Sequence, residues 1–180
     1  MGAVYSLFYS LFSTREVRLL ILGLDNAGKT TILHRMHSST PVHTLPTIGF
    51  EVETVHVRNL KLQVWDLGGQ SSIRPYWRCY YPNTNAVIYV VDSTDRDRMS
   101  DAKNELHMLL GEEELAGVPV LVFANKKDIP GAMAAAEVAE GLGLSGVKDR
   151  AYSIMAASAL KGDGIKEGVD WVVDMINSSK

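Results

Sequence analysis

Eight consecutive residues constrain this chain more than any others. Gly23-Leu24-Asp25-Asn26-Ala27-Gly28-Lys29-Thr30 fits G-x-x-x-x-G-K-S/T. The apolar run Arg18–Leu22 precedes it, and a helical pattern from about Lys29 to His37 follows. That strand–turn–helix context is the one a phosphate cradle requires. Glycine lets backbone amides approach a polyphosphate closely, and the helix N-terminus faces the anion. Gly23, Asp25, Asn26, Ala27, Gly28, Lys29, Thr30 and Thr31 are the expected contacts. Lys29 is placed to reach the β- and γ-phosphates, and Thr30 to offer a hydroxyl to Mg²⁺.

The rest of the chain repeats that alternation of strand and helix. Glu51–His56 and Leu60–Asp66 flank Arg58-Asn59 as a β-hairpin. Ala86–Val91, Val118–Phe123 and Tyr152–Ala156 read as strands. Met99, Ala102, Leu106, Leu109 and Leu110 form one helical stripe, and Ile165, Val169, Val172 and Ile176 another. The expected class is α/β: a P-loop fold with a mostly parallel sheet covered on both faces. Ligands of such sheets bind beyond the carboxyl ends of the strands.

Three further segments fall at those ends. Asn125-Lys126-Lys127-Asp128 follows a strand, and the Asp128 carboxylate can accept both N1–H and the 2-amino group of guanine. Adenine would leave that carboxylate unpaired. The Lys126 stem can lie over the base, and Ser158-Ala159-Leu160 can present the Ala159 N–H to guanine O6. Asp66-Leu67-Gly68-Gly69-Gln70 fits D-x-x-G. Asp66 would hold Mg²⁺ through water, the Gly69 amide would meet the γ-phosphate, and Gln70 would orient the attacking water as the catalytic residue. Pro46-Thr47-Ile48-Gly49 offers Thr47 as a second hydroxyl for the metal. GTP would order these segments and hydrolysis would release them.

Composition narrows the setting. A net charge of -3 and a pI of 5.9 argue against a nucleic-acid binder. A lone cysteine, Cys79, excludes an intrachain disulfide and a Cys-rich zinc site. No apolar run approaches the roughly eighteen residues of a membrane-spanning helix. The N-terminus is nevertheless unusual, because no charged side chain precedes Arg15. Met1–Ser6 fits M-G-x-x-x-S/T, which makes Gly2 a candidate for myristoylation. Val4, Leu7, Phe8, Leu11 and Phe12 share one helical face. The expected division is therefore residues 1–14 as a myristoylated amphipathic helix and 15–180 as a nucleotide-binding domain. One acyl chain binds membranes only marginally, and the helix would add the second signal. Asn177–Lys180 contains no cysteine, so prenylation is not expected.

With these motifs in register, the whole chain resembles the Ras-like small GTPases, and within them the Arf family. The family signs are Gly23-Leu24-Asp25, Pro46–Phe50 and Trp65–Gln70, while Arg74–Tyr81 is most similar to the Arf-like 1 subfamily. Asn26, Lys127 and Leu160 depart from that subfamily's usual residues without touching the guanine contacts. The resemblance implies a six-stranded sheet with one antiparallel strand. It implies a GDP/GTP switch on the cytoplasmic face of Golgi membranes, exchanging with the cytosol. An exchange factor, an activating protein and GRIP-domain golgins as effectors come with it. It also implies that the N-terminal helix is stored in the GDP form and ejected when the hairpin slides. Phe50, Trp65 and Tyr80 stand at the family's aromatic triad, with Ile48, Tyr76 and Cys79 extending the effector patch. Where Gα subunits carry an arginine finger, this chain has Thr44, so intrinsic hydrolysis should be slow and aided in trans. Rival readings are a P-loop kinase or ATPase, another Arf-type GTPase with different effectors, and a non-cycling guanine-nucleotide adaptor.

Overall fold

The structure, a computed structural model, describes residues 15–38 and 47–179. Its principal elements run β1 (Arg15–Leu22), α1 (Lys29–His37), β2 (Phe50–Val57), β3 (Leu60–Leu67), a 3-10 helix (Arg74–Tyr80), β4 (Ala86–Asp92), α2 (Met99–Leu110), β5 (Val120–Asn125), α3 (Ala135–Leu142), β6 (Tyr152–Ala156) and α4 (Ile165–Ser178). The expectations for Gly2, for the apolar face from Val4 to Phe12, for Thr44 and for Pro46 lie outside the described residues.

A strand that is apolar on both faces must be covered on both. Side chains alternate along β1, so Leu19 and Ile21 enter one layer and Leu20 and Leu22 the other. The first layer holds Ile32 and Leu33 of α1 with Val169, Val172 and Ile176 of α4. The second holds Ala102, Leu106 and Leu109 of α2 with Val138 and Leu142 of α3. All four β1 residues have 0% exposure, so trimming any one to alanine should cost about 2–5 kcal/mol. Trp77 is buried in the second layer, and Trp171 packs against the first.

The sheet order is β2-β3-β1-β4-β5-β6, with only the β2–β3 pair antiparallel. That matches the expected six strands. The chain leaves β1 for the β3 side and later returns on the β4 side. The crevice at this reversal opens above the carboxyl ends of β1, β3 and β4, where the motifs sit.

Two differences from the sequence reading are physical. β1 begins at Arg15 rather than Arg18, because Arg15, Glu16 and Val17 pair with Leu60, Lys61 and Leu62 of β3. α3 has no counterpart among the expected elements. It buries only Val138 and Leu142, too few apolar positions for a stripe. Its start is held by Glu137 accepting the Ala134 N–H at 2.8 Å, and Gly143 ends it in a left-handed conformation. Among the described residues, no helix is long and apolar enough to cross a membrane.

Candidate nucleotide site

The turn after β1 is held open by its own backbone. Gly28 has φ 93°, and a Cβ there would lie 2.3 Å from the Asn125 Nδ2, so only glycine fits. α1 begins at the next residue, and its first-turn residues Lys29, Thr30 and Thr31 line a cavity of about 400 Å³. Asp25, Asn26, Gly28, Lys29, Thr30, Thr31, Thr47, Gly69, Gln70 and Lys126 line that cavity. Residues from four separated segments thus meet around one space, as their motifs imply.

Lys29 is buried and donates to the Leu24 carbonyl at 2.9 Å. Burial pushes its ammonium down to about 8, against the pull of Asp66 and Asp25. An anion in the cavity would restore its charge. Asp66, at 0% exposure, is bonded to two of the lining residues. Its Oδ2 accepts from Thr30 Oγ1 at 2.5 Å and from Thr47 Oγ1 at 3.2 Å, and the two hydroxyls are 2.8 Å apart. Burial pushes this carboxyl above its usual range despite those bonds and the nearby Lys29. The Asp66 Oδ1 has no hydrogen-bond partner among the described residues. A buried carboxylate oxygen without a donor is costly. With the two hydroxyls on Oδ2, this carboxylate makes an all-oxygen set that fits a hard divalent cation.

Gly69 crosses directly over the cradle. A Cβ on it would lie 2.4 Å from the Asp25 N and 2.5 Å from the Lys29 Nζ, so any side chain would collide. The Asp25 N–H donates to the Gly69 carbonyl at 3.1 Å, and the Trp77 indole N–H donates to the Gly68 carbonyl at 2.9 Å. Because a trans peptide sets C=O and N–H on opposite sides, Trp77 fixes the direction of the Gly69 N–H. Gln70 follows at the cavity wall and is exposed.

The opposite end is built around Asn125, the buried last residue of β5. Its Nδ2 donates to the Ala27 carbonyl at 2.8 Å and its Oδ1 accepts the Ala159 N–H at 3.0 Å. Asn125 therefore braces the phosphate loop against the loop after β6. The Ala159 N–H expected at guanine O6 is engaged by this brace, so a bond to the base would have to share it. Ser158 is buried, its Oγ accepting the Lys161 N–H, and Leu160 is exposed. Arg35 of α1 holds this loop through the Ala159 and Leu160 carbonyls. Lys126 has φ 66° and anchors its Nζ on Asp92 Oδ2 at 2.6 Å, which stretches its stem along the cavity. Burial would raise Asp92, but the bonds from Lys126 and Thr94 outweigh it and hold its carboxyl below the usual range. Half-buried Asp128 makes no hydrogen bond or ion pair with the described residues.

The aromatic residues assemble as a cluster. Phe50 lies 5.4 Å from both Trp65 and Tyr80, and Trp65 lies 5.8 Å from Tyr80. The Arg18 guanidinium stacks on Trp65 at 4.1 Å. Ile48 (90% exposed), Tyr76 (64% exposed) and Cys79 are exposed as well. Groups that spacing alone does not flag are Arg74, Arg98, Trp77 and Asp92. Asp92 carries a usable sign, a charge ending an otherwise apolar strand at the ligand edge. The others act through contacts across 5 to 73 residues of sequence and leave no local pattern.

Comparisons with known proteins agree with this geometry. Residues 4–176 match the model of the ADP-ribosylation factor family. ADP-ribosylation factor-like protein 1 of Saccharomyces cerevisiae is 60% identical over 182 residues, covering 100% of both chains. The protein of that name from Drosophila melanogaster is 57% identical over 180 residues, again with 100% of both covered. ADP-ribosylation factor 1 of Brassica rapa subsp. pekinensis is 57% identical over 179 residues, covering 99% of this chain and 98% of that one. The solved structure of the Arl6 BBS3 small GTPase from Trypanosoma brucei, with bound nucleotide analogue GppNp, has a TM-score of 0.85 and 38% identity. It covers 92% of this chain and 99% of its own.

Proposed function

Because the chain belongs to the ADP-ribosylation factor family of small GTPases, we propose that it is a Golgi-membrane switch of the Arf-like 1 type, with the residue roles below. Membership carries guanine-nucleotide binding, GTP hydrolysis and a need for exchange factors, activating proteins and effectors. The observation that carries the switch reading is the Thr30–Asp66–Thr47 cluster. Three separated segments meet there on Asp66 Oδ2, while the Oδ1 of the same buried carboxylate has no donor among the described residues.

Thr30 and Thr47 would offer their hydroxyls to Mg²⁺, and Asp66 would hold it through water. When bound, the metal neutralises charge on the phosphates. Gly23 and Asp25 to Thr31 wrap the phosphates, with Lys29 supplying a buried positive charge. Gly69 meets the γ-phosphate and Gln70 orients the attacking water. Asp128, unspent on other groups, reads guanine, with the Lys126 stem over the base and Ser158, Ala159 and Leu160 closing its edge. Thr47 ties its segment directly to Thr30 and Asp66, so exchanging those bonds for contacts to Mg²⁺ and the γ-phosphate would reposition the segment, and Ile48 and Phe50 with it. The patch formed by Ile48, Phe50, Trp65, Tyr76, Cys79 and Tyr80 is then an effector surface that depends on nucleotide state. GRIP-domain golgins are its expected partners. A myristoyl group on Gly2 and the 1–14 helix attach the GTP form to the membrane.

The test uses the full myristoylated chain and liposomes. Gln70→Leu loaded with GTP should sediment with the vesicles and bind a GRIP domain, whereas GDP-loaded Thr30→Asn should do neither. Equal behaviour of the two forms would sink the switch reading. Membrane binding without GRIP binding would remove only the effector assignment.

A further inference from the structure

Arg74 is an arginine that the proposed chemistry does not use, yet its side chain is only 15% exposed and every arm of its guanidinium is directed at a group around the site. Nε donates to the Gly69 carbonyl at 2.9 Å. Nη1 donates to Glu105 Oε1, on α2, at 2.9 Å. Nη2 lies 3.7 Å from the Asp25 carboxylate. Asp25 is itself held by Arg98, whose Nη1 donates to Oδ1 at 2.9 Å and whose Nε pairs with Asp95 at 2.6 Å.

Two consequences follow from charge and geometry. A carboxylate in a polyphosphate cradle repels its ligand, so Asp25 is tolerable there only with cations around it. Arg98 and Arg74 supply them from two different elements. Secondly, the Gly69 carbonyl accepts from both Asp25 N–H and Arg74 Nε, which pins the residue where the chain passes over Lys29. Gln70 begins at that pinned point. Glu105 anchors the clamp to α2, a helix buried in the core through Leu106 and Leu109.

We propose that Arg74 is a positioning residue for GTP hydrolysis, tying the Gly69 carbonyl to Glu105 and Asp25 so that Gln70 starts from one fixed place. A planar fork is needed to meet all three groups at once. Lysine keeps the charge but cannot reproduce the fork. The inference rests on the role given above to Gly69 and Gln70.

The experiment measures single-turnover GTP hydrolysis, GDP affinity and melting temperature of the full Mg²⁺-loaded chain for Arg74→Lys, Arg74→Gln, Glu105→Gln and Gln70→Leu. Hydrolysis should fall about tenfold in both Arg74 variants and severalfold in Glu105→Gln. A tenfold change corresponds to about 1.4 kcal/mol of barrier. GDP affinity should stay within about twofold in all three, because Asp25 keeps Arg98. The proposal is overturned if hydrolysis is unchanged, or if GDP affinity and melting temperature fall in step with it. Should Arg74→Gln fail to fold, Arg74→Lys and Glu105→Gln still decide the matter. If Gln70→Leu itself leaves hydrolysis untouched, the underlying role of Gln70 fails first. If Gln70→Leu abolishes hydrolysis while both Arg74 variants retain it, only the present inference fails.

Discussion

The two ends of the cavity are built on opposite principles. At the base end, Asn125 uses both halves of its amide on Ala27 and Ala159, and Lys126 is anchored on Asp92. Those bonds join protein groups to one another, so the frame that presents Asp128 is set by the protein itself. At the γ-phosphate end, the buried Asp66 Oδ1 has no partner among the described residues and burial disfavours the charge on Lys29. A cation would give that oxygen a partner and an anion would favour that charge. A preformed end confers identity, and an unsatisfied end confers dependence on nucleotide state. Recognition of guanine should therefore be indifferent to whether GDP or GTP is bound, and the response to the γ-phosphate should not.

The sharpest way to break this comparison is at Asp128. Asp128→Asn should weaken GDP and GTP alike by about a thousandfold, the loss of two charge-assisted hydrogen bonds at roughly 2 kcal/mol each. Displacement of a fluorescent guanine nucleotide measures it. Appreciable ATP binding by the unaltered chain would count against the base-end assignment.

Lys29 should give the next effect. Its ammonium is lowered from 10.5 to about 8 in the folded chain. Between those values the unfolded chain binds more protons, so this group's contribution to stability rises with pH there. Nucleotide binding runs the other way, because the polyphosphate restores the charge and a proton is taken up. Affinity should fall as pH rises above about 8, by up to roughly tenfold per unit. Calorimetry in buffers of differing ionisation enthalpy reads the uptake. No uptake at pH 9 would mean that Lys29 stays charged when empty.

Asn125→Ala tests the brace. It leaves the buried Ala159 N–H and Ala27 carbonyl without partners and should cost about 2–3 kcal/mol of stability, seen in thermal or urea unfolding. GDP and GTP affinities should drop together. The smallest effect is expected at Lys127, which lies beside the frame and whose ammonium is 3.7 Å from Asp163. Lys127→Gln should change guanine-nucleotide affinity by less than about twofold, since an exposed pair of this kind contributes little.

The same contrast governs what was legible in the sequence. Gly23–Thr30 could be read because one turn contains the whole cradle. Thr30, Thr47 and Asp66 meet as their separate motifs imply. The strands were legible where both faces are buried, as in β1 and β4. α3 was not, because Val138 and Leu142 alone do not make a stripe. The roles of Asn125 as a brace and of Arg74 as a clamp depend on contacts with Ala27, Ala159 and Glu105, which no local spacing encodes. The Phe50–Trp65–Tyr80 cluster was expected only through the family resemblance. Its members sit on β2, β3 and the 3-10 helix, and only their packing joins them.

The most direct test of this division of labour is the ratio of dissociation constants for GDP and a slowly hydrolysed GTP analogue, both with Mg²⁺. It should be measured in the unaltered chain, in Asp128→Asn and in Thr47→Ala. The account predicts that Asp128→Asn leaves the ratio unchanged. Thr47→Ala should weaken the analogue by about tenfold, roughly 1.4 kcal/mol, with GDP hardly affected. A shifted ratio in Asp128→Asn, or an unshifted one in Thr47→Ala, would contradict it.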